Sequence, residues 1–350
     1  MMSDIQREIE ARKERWRRFL TPGDPEAPAH MFLVRVAGDG PARPPLWPER
    51  KEERIEWAWQ TYEKQLERAE WLCDDAVPCL QVSTGTEIFA EAFGCPVHRA
   101  EDNMPFALPK IGAAAEVTAL RVPELSSSSL DYLFEIGDEL RRRAGDEAVM
   151  RLIDVQSPMD IAALIWEKVG FMVAMVEAPE AVKELAAKVG ELLKGFLDEW
   201  FRRYGTQYVA HYPDYFMEGG ITVSEDEVGA VSSEMFAEFF RDELVALSER
   251  YGGIGVHCCA HAQHQWDHFK SLPGLRLLNL NQPHAVVAEA YDFFDTGIAQ
   301  MHYGYERRGG VEEWPGQHPT GRRIVFETTV EGREQGMAAA ESFAAMRAVG

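Results

Sequence analysis

The chain has 350 residues, 46% of them hydrophobic and 27% charged, an ordinary globular balance with enough apolar material for a large core. Its 36 basic and 58 acidic residues give a formal net charge of −22, which sets the surface against nucleic acid and anionic membranes. Five cysteines, an odd and low number, argue against a disulfide scaffold, and no run approaches the roughly 18 apolar residues of a membrane span.

The opening segment MMSDIQREIEARKERWRRFL is charged and amphipathic and lacks a continuous apolar stretch. It reads as a helical arm over residues 1–30 rather than a secretory leader, which implies a cytoplasmic protein with reduced thiols. MFLVRV (31–36) predicts the first strand, the periodic run 49–72 a long amphipathic helix, and VPCLQV (77–82) the second strand. Residues 83–127, with Pro96, Pro105, Pro109 and Pro123, read as loops around a short helix at 86–93. A helix at 129–143 leads to a strand at 149–156. Ser157 then caps a helix with Pro158 in its first turn, and a long helix over 179–205 ends at Gly205. In the second half, TQYVAHY (206–212), IGVHCC (254–259), LRLLNLN (275–281), IAQMHYG (298–304) and RRIVFET (322–328) predict strands, with ITVSED (221–226) as a short extra edge. Helices at 263–271, 284–294 and 333–348, and one capped at Ser232 or Ser233, separate or follow them.

Eight main strands alternating with helices imply parallel strands joined by right-handed crossovers. Eight such units in one chain favour an α/β fold of the closed (β/α)8 TIM-type barrel, over 31–350, behind the N-terminal arm. An open doubly wound sheet would carry a glycine-rich phosphate loop after an early strand, and neither GDGPARPP nor STGTEIF fits one.

In a barrel of this kind chemistry belongs at the C-terminal strand ends. There GIGVHCCAHAQHQW (253–266) crowds three histidines and two cysteines into fourteen positions. Side chains alternate along a strand, so His257 and Cys259 share one face and Cys258 points the other way. An imidazole beside a thiolate suits half of a tetrahedral zinc shell; the plainer alternative is a buried cysteine next to a hydrogen-bonded histidine. His261, His264 and His268 fall at helical spacing, as an exposed helix face or a surface metal site. Other polar strand-end residues could line the same mouth: Asp226 with Glu225, His211, Gln156, Asn279, Gln282, His302 and Tyr303. Asp226, His211 and Gln282 are the candidate catalytic groups, handling protons or orienting metal ligands; ordinary loop solvation is their alternative.

The segments SEDEVGAVSSEMFAEFF and IGVHCCAHA, in that order, resemble the uroporphyrinogen decarboxylase superfamily, and within it the cobalamin-dependent methyltransferase branch. The shared features are an acidic strand end, an S-P-E-M-F-type helix start and an H-x-C-G motif. VPCLQVSTGTEIFAEAFGCPV (77–97), the stretch 154–189 and the closing MAAAESFAAMRAV look like further segments of the same family, so the likeness covers roughly 77–348. The resemblance implies a TIM-like barrel in which zinc, or another divalent metal, is held by His-x-Cys and a later cysteine. That metal activates a small thiol to accept a methyl group from a methyl-corrinoid. His257 and Cys259 match the two motif ligands. The chain departs from the pattern at Ala260, which replaces the motif glycine, at the adjacent Cys258, and in having no cysteine after Cys259. Glu327 in IVFETTVEG is the candidate substitute ligand; Thr329 aligns better and would bind worse.

A corrinoid would then arrive as co-substrate on a carrier protein, and a second copy of the chain is a further candidate partner. Two other readings stand beside this one. The first is a metal-free decarboxylase of the porphyrinogen type, for which the N-terminal stretch offers only Arg35 and Arg43 against a polyanion. The second is a barrel that binds a metal or small molecule without catalysis.

Overall fold

Apolar segments of strand length alternate with helices along the chain, in a computed structural model that describes residues 3–38, 40–101, 103–294 and 297–349. The strands are β1 (His30–Val36), β2 (Cys79–Gln81), β3 (Val97–His98), β4 (Phe106–Ala107), β5 (Val149–Arg151), β6 (Gln207–Val209), β7 (Phe216–Glu218), β8 (Ile221–Ser224), β9 (Ile254–Cys258), β10 (Leu275–Leu280), β11 (Ala299–Gln300) and β12 (Arg323–Val330). Parallel ladders run β1-β12-β11-β10-β9-β8 and β2-β5, and a parallel bridge from Gln156 to Ser224 joins the two sets. These eight strands form the wall of a (β/α)8 TIM-type barrel, with helices in the connections. The β3–β4 ribbon is antiparallel and pairs with neither wall sheet. No helix among the described residues is long and apolar enough to cross a membrane.

The seam between β1 and β2 is closed by side chains. Asp75 accepts from the Phe32 N–H at 2.8 Å and Asp74 from the Val34 N–H at 3.0 Å, so two carboxylates occupy β1's free edge where a strand would otherwise bond. Burying two carboxylates is costly unless they are paired. The N-terminal helix α1 (Asp4–Leu20) supplies the partners: Arg12, itself buried, lies 3.1 Å from Asp74, and Arg15 lies 2.8 Å from Asp75. Trp16 adds an indole bond to the Asp75 carbonyl at 2.8 Å. The arm is thereby stitched to the barrel at its weakest joint.

The fourth wall position differs from the sequence expectation. Residues 206–212 do not form a full wall strand: β6 pairs with Met150 and Arg151 of β5 and turns into the antiparallel β7, while β8 takes the position beyond it against Gln156. The turn between β6 and β7 sends Tyr215 inward, its hydroxyl 2.5 Å from Thr222 Oγ1. Gly255 leaves the room: a side chain there would collide with the Tyr215 hydroxyl. The expected helix after Ser157 is also two helices, Pro158–Ile165 and Lys168–Glu177, because Glu167 recaps the chain by accepting from the N–H groups of Val169 and Gly170.

Candidate metal centre

β9 is buried along its whole length, and its inward face runs Gly255, His257 and then Cys259 just past the strand end. Cys258 faces the packed layer; burial pushes its thiol well above the usual range. The alternation read from the sequence therefore separates the two cysteines as expected, and Cys259 is the exposed one.

Asp226 arrives from the neighbouring strand, two residues beyond Ser224 of β8. Asp226, His257 and Cys259 each present a ligand atom within 4.8 Å of the other two. Asp226 Oδ1 accepts from the Cys259 N–H at 2.6 Å, and Oδ2 accepts from its thiol at 3.1 Å. Burial, and then Asp226, push the Cys259 thiol up to about 12, so the group holds a proton that a bound cation would displace. Among the described residues Asp226 has no lysine or arginine partner. Its backbone is fixed from below: the buried Asp160 accepts from the N–H groups of Asp226 at 2.7 Å and Glu227 at 2.9 Å. Burial pushes Asp160 up to about 7, and burial together with Asp160 pushes the fully buried Glu225 up as well.

His257 is oriented by Asn279 on β10. Nδ1 lies 2.5 Å from Asn279 Oδ1, and the Asn279 amide nitrogen donates to the Met301 carbonyl. With its NH2 committed, Asn279 presents an acceptor, so the ring carries its proton on Nδ1 and leaves the Nε2 lone pair for a ligand. Burial lowers the pKa of His257, which favours the neutral form that binds metals. Tyr212, from the inner turn, stands edge-on to the imidazole with ring centroids 4.6 Å apart.

The remaining sequence candidates fall around this group. His211 Nε2 lies 3.3 Å from Asp154, whose other oxygen accepts from Gln156 at 2.5 Å; both Asp154 and His211 bear on the charge of His257. Gln282 donates to the carbonyls of Cys259 at 2.6 Å and Ala260 at 2.9 Å, pinning the turn that follows the motif. Glu327 lies outside the three-donor group: Arg35 holds its carboxylate and Tyr303 donates to it at 3.3 Å. His261, His264 and His268 do not share a helix face, because the α-helix begins only at Trp266. His264 bonds the Val231 carbonyl and His268 the Ser233 hydroxyl, each a separate tie. Asp154 and Asp160 were not singled out from sequence. Asp154 has a signal in hindsight, since it shares a strand face with Gln156.

One carboxylate oxygen, one imidazole nitrogen and one thiol sulfur are the donor types of a zinc site, and three of them leave a fourth tetrahedral position for a substrate. With both acids ionised and the imidazole neutral, the set balances the charge of a divalent cation. The residues present fit such an ion.

The family model described as uroporphyrinogen decarboxylase (URO-D) matches residues 82–296, more than half of the chain and a span that contains all three donors. The chain belongs to the uroporphyrinogen decarboxylase family. This URO-D member is also similar in fold to a solved methyltransferase from Methanosarcina mazei, with a TM-score of 0.62 over 97% of this chain and 98% of that one, at 11% identity. No curated protein sequence matches it.

Proposed function

We propose that this URO-D family member is a metal-dependent methyltransferase that moves a methyl group from a corrinoid carrier to a small thiol. One observation carries the reading: a carboxylate, an imidazole and a thiol converge within 4.8 Å at the C-terminal mouth of the barrel, with a coordination position to spare. The fold likeness to a methyltransferase supports it. The ligand set proposed is Asp226, His257 and Cys259, with zinc the first candidate. When bound, the cation supplies Lewis acidity that lowers the pKa of an incoming thiol.

The chain's own residues prepare that step. Asn279 holds the His257 ring with Nε2 free, Asp160 holds the backbone of Asp226, and Gln282 holds the Cys259 turn. Tyr212 stands edge-on to the imidazole and narrows the approach on that side, which suits a small thiol acceptor. In the transfer the acceptor sulfur forms a bond to the methyl carbon, the cobalt–carbon bond breaks, and its electron pair stays on cobalt. His211, paired with Asp154, is the nearby group that can receive the acceptor's thiol proton. The decarboxylase alternative is weaker, because Arg35 is engaged by Glu327 and Asp214 and so does not stand ready for a polyanion.

The test is direct. Purified chain loaded with one equivalent of zinc is mixed with methylcobalamin and mercaptoethanol, and loss of the methylcobalamin spectrum is followed anaerobically. Demethylation at least about 100-fold faster than in the metal-free chain is the expected result. Equal rates with and without metal, in a folded protein, would remove the proposal.

A further inference from the structure

A second site lies between the ends of β11 and β12. A cavity of about 130 Å3 opens there, lined by His302, Tyr303, Arg307, Glu327, Thr328 and Thr329 among others. At about 30 Å3 per molecule of liquid water, it has room for a headgroup of about four or five heavy atoms.

The charges on its wall are unequal. Glu327 is already held by Arg35 and Tyr303. Arg307 is not so matched: among the described residues it forms no ion pair, and its Nε is buried without a hydrogen-bond partner. Three aromatic rings hold the guanidinium in place, with its carbon 5.7 Å from the Tyr305 centroid, 5.3 Å from Trp314 and 5.2 Å from Phe326. The buried hydroxyl of Tyr291 lies beside it, close enough for the guanidinium to offset part of what burial does to that phenol. His302 and His318 next to it are kept neutral by burial, so they neither add nor remove charge. In a chain of net charge −22, a guanidinium fixed on aromatic faces and left without a carboxylate is conspicuous.

We infer that this cavity binds a small oxyanion, a carboxylate or phosphate group, with Arg307 as its counter-ion. The planar guanidinium supplies the charge and paired N–H donors, and Thr328, on the strand face of Phe326 against which the guanidinium stacks, brings a neutral hydroxyl to the lining. The anion could be a free ion or the tail of a ligand whose other end reaches the barrel mouth, since Tyr303 lines the cavity and its ring lies 5.5 Å from that of Tyr212. The inference does not depend on the methyl-transfer reading.

Isothermal titration of the full metal-free chain with inorganic phosphate, at constant ionic strength in sodium chloride, tests it. Saturable binding at one site is expected. Arg307→Gln weakens it at least about tenfold, and Arg307→Lys keeps more of it than Arg307→Gln. Glu327→Gln tightens it, a gain that misfolding cannot imitate. No saturable uptake by the parent, or equal affinity in Arg307→Gln, overturns the inference. Competition with mercaptoacetate separates the sources: mutual exclusion marks the anion as a ligand's tail, and independent binding marks a free ion; both require the site.

Discussion

On the β8–β9 arc of the barrel mouth, Asp226, His257 and Cys259 converge, and among the described residues no lysine or arginine bonds the Asp226 carboxylate. On the opposite arc, at the ends of β1 and β12, the acids are already satisfied: Arg35 bonds Glu327 and lies 3.1 Å from Asp214, which Arg151 also holds. Both arcs place carboxylates at strand ends, where a barrel puts its chemistry. What separates them is whether a guanidinium has reached the carboxylate first. A paired acid must give up its partner before it can take a cation, whereas Asp226 gives up only a thiol hydrogen bond.

The sharpest way to break the comparison is to remove a donor from the first arc. Cys259→Ala or His257→Ala should lower zinc affinity by more than about 100-fold, measured by competition with a chromogenic chelator, while Cys258→Ala should leave it within about threefold. Asp226→Asn should cost nearly as much, whereas Glu327→Gln should change zinc affinity less than about threefold. If the two acids exchange roles in that assay, the distinction between the arcs is wrong. Asn279→Ala should weaken zinc by about 10- to 100-fold without loss of a ligand, by freeing the His257 ring. Thermal melts distinguish that result from simple unfolding.

These contrasts also show what the sequence could carry. The period-two alternation of a strand is a local rule, so it was enough to separate Cys259 from Cys258 and to put Cys259 on the face of His257. The alternation of strands and helices likewise gave the barrel. The third donor is a matter of which neighbouring strand ends are free, and that depends on contacts far apart in the chain. Asp226 is legible as an acidic strand-end residue; Glu327 takes the ligand role in the sequence reading only by standing where the family's later cysteine is missing. Nothing near Glu327 in sequence discloses Arg35, which is 292 positions away. The inner turn with Tyr212 and Tyr215 was hidden for a similar reason: TQYVAHY has the pattern of a wall strand, and only Gly255 on another strand makes room for it.

A smaller effect belongs to the second arc. His318 is buried among Tyr291, Tyr305 and Phe326 with both ring nitrogens unpartnered, and burial lowers its pKa to about 3. An imidazole that stays neutral when folded but charges freely when unfolded supports the fold fully above pH 6.5. That support is lost progressively as pH falls from 6.5 toward 3, by about 2 kcal/mol at pH 5. His318→Phe should flatten this acid limb in urea titrations at pH 7 and pH 5; an unchanged difference between the two would show that the ring is not held neutral.

Cobalt substitution bears most directly on the three-donor centre. Co2+ titrated anaerobically into the metal-free chain should saturate at one equivalent, with d–d bands of tetrahedral strength and a near-ultraviolet thiolate-to-cobalt charge-transfer band. That band should vanish in Cys259→Ser and persist in Cys258→Ala and Glu327→Gln. A parent protein that shows no thiolate band, or one whose band follows Cys258, would contradict the centre described here.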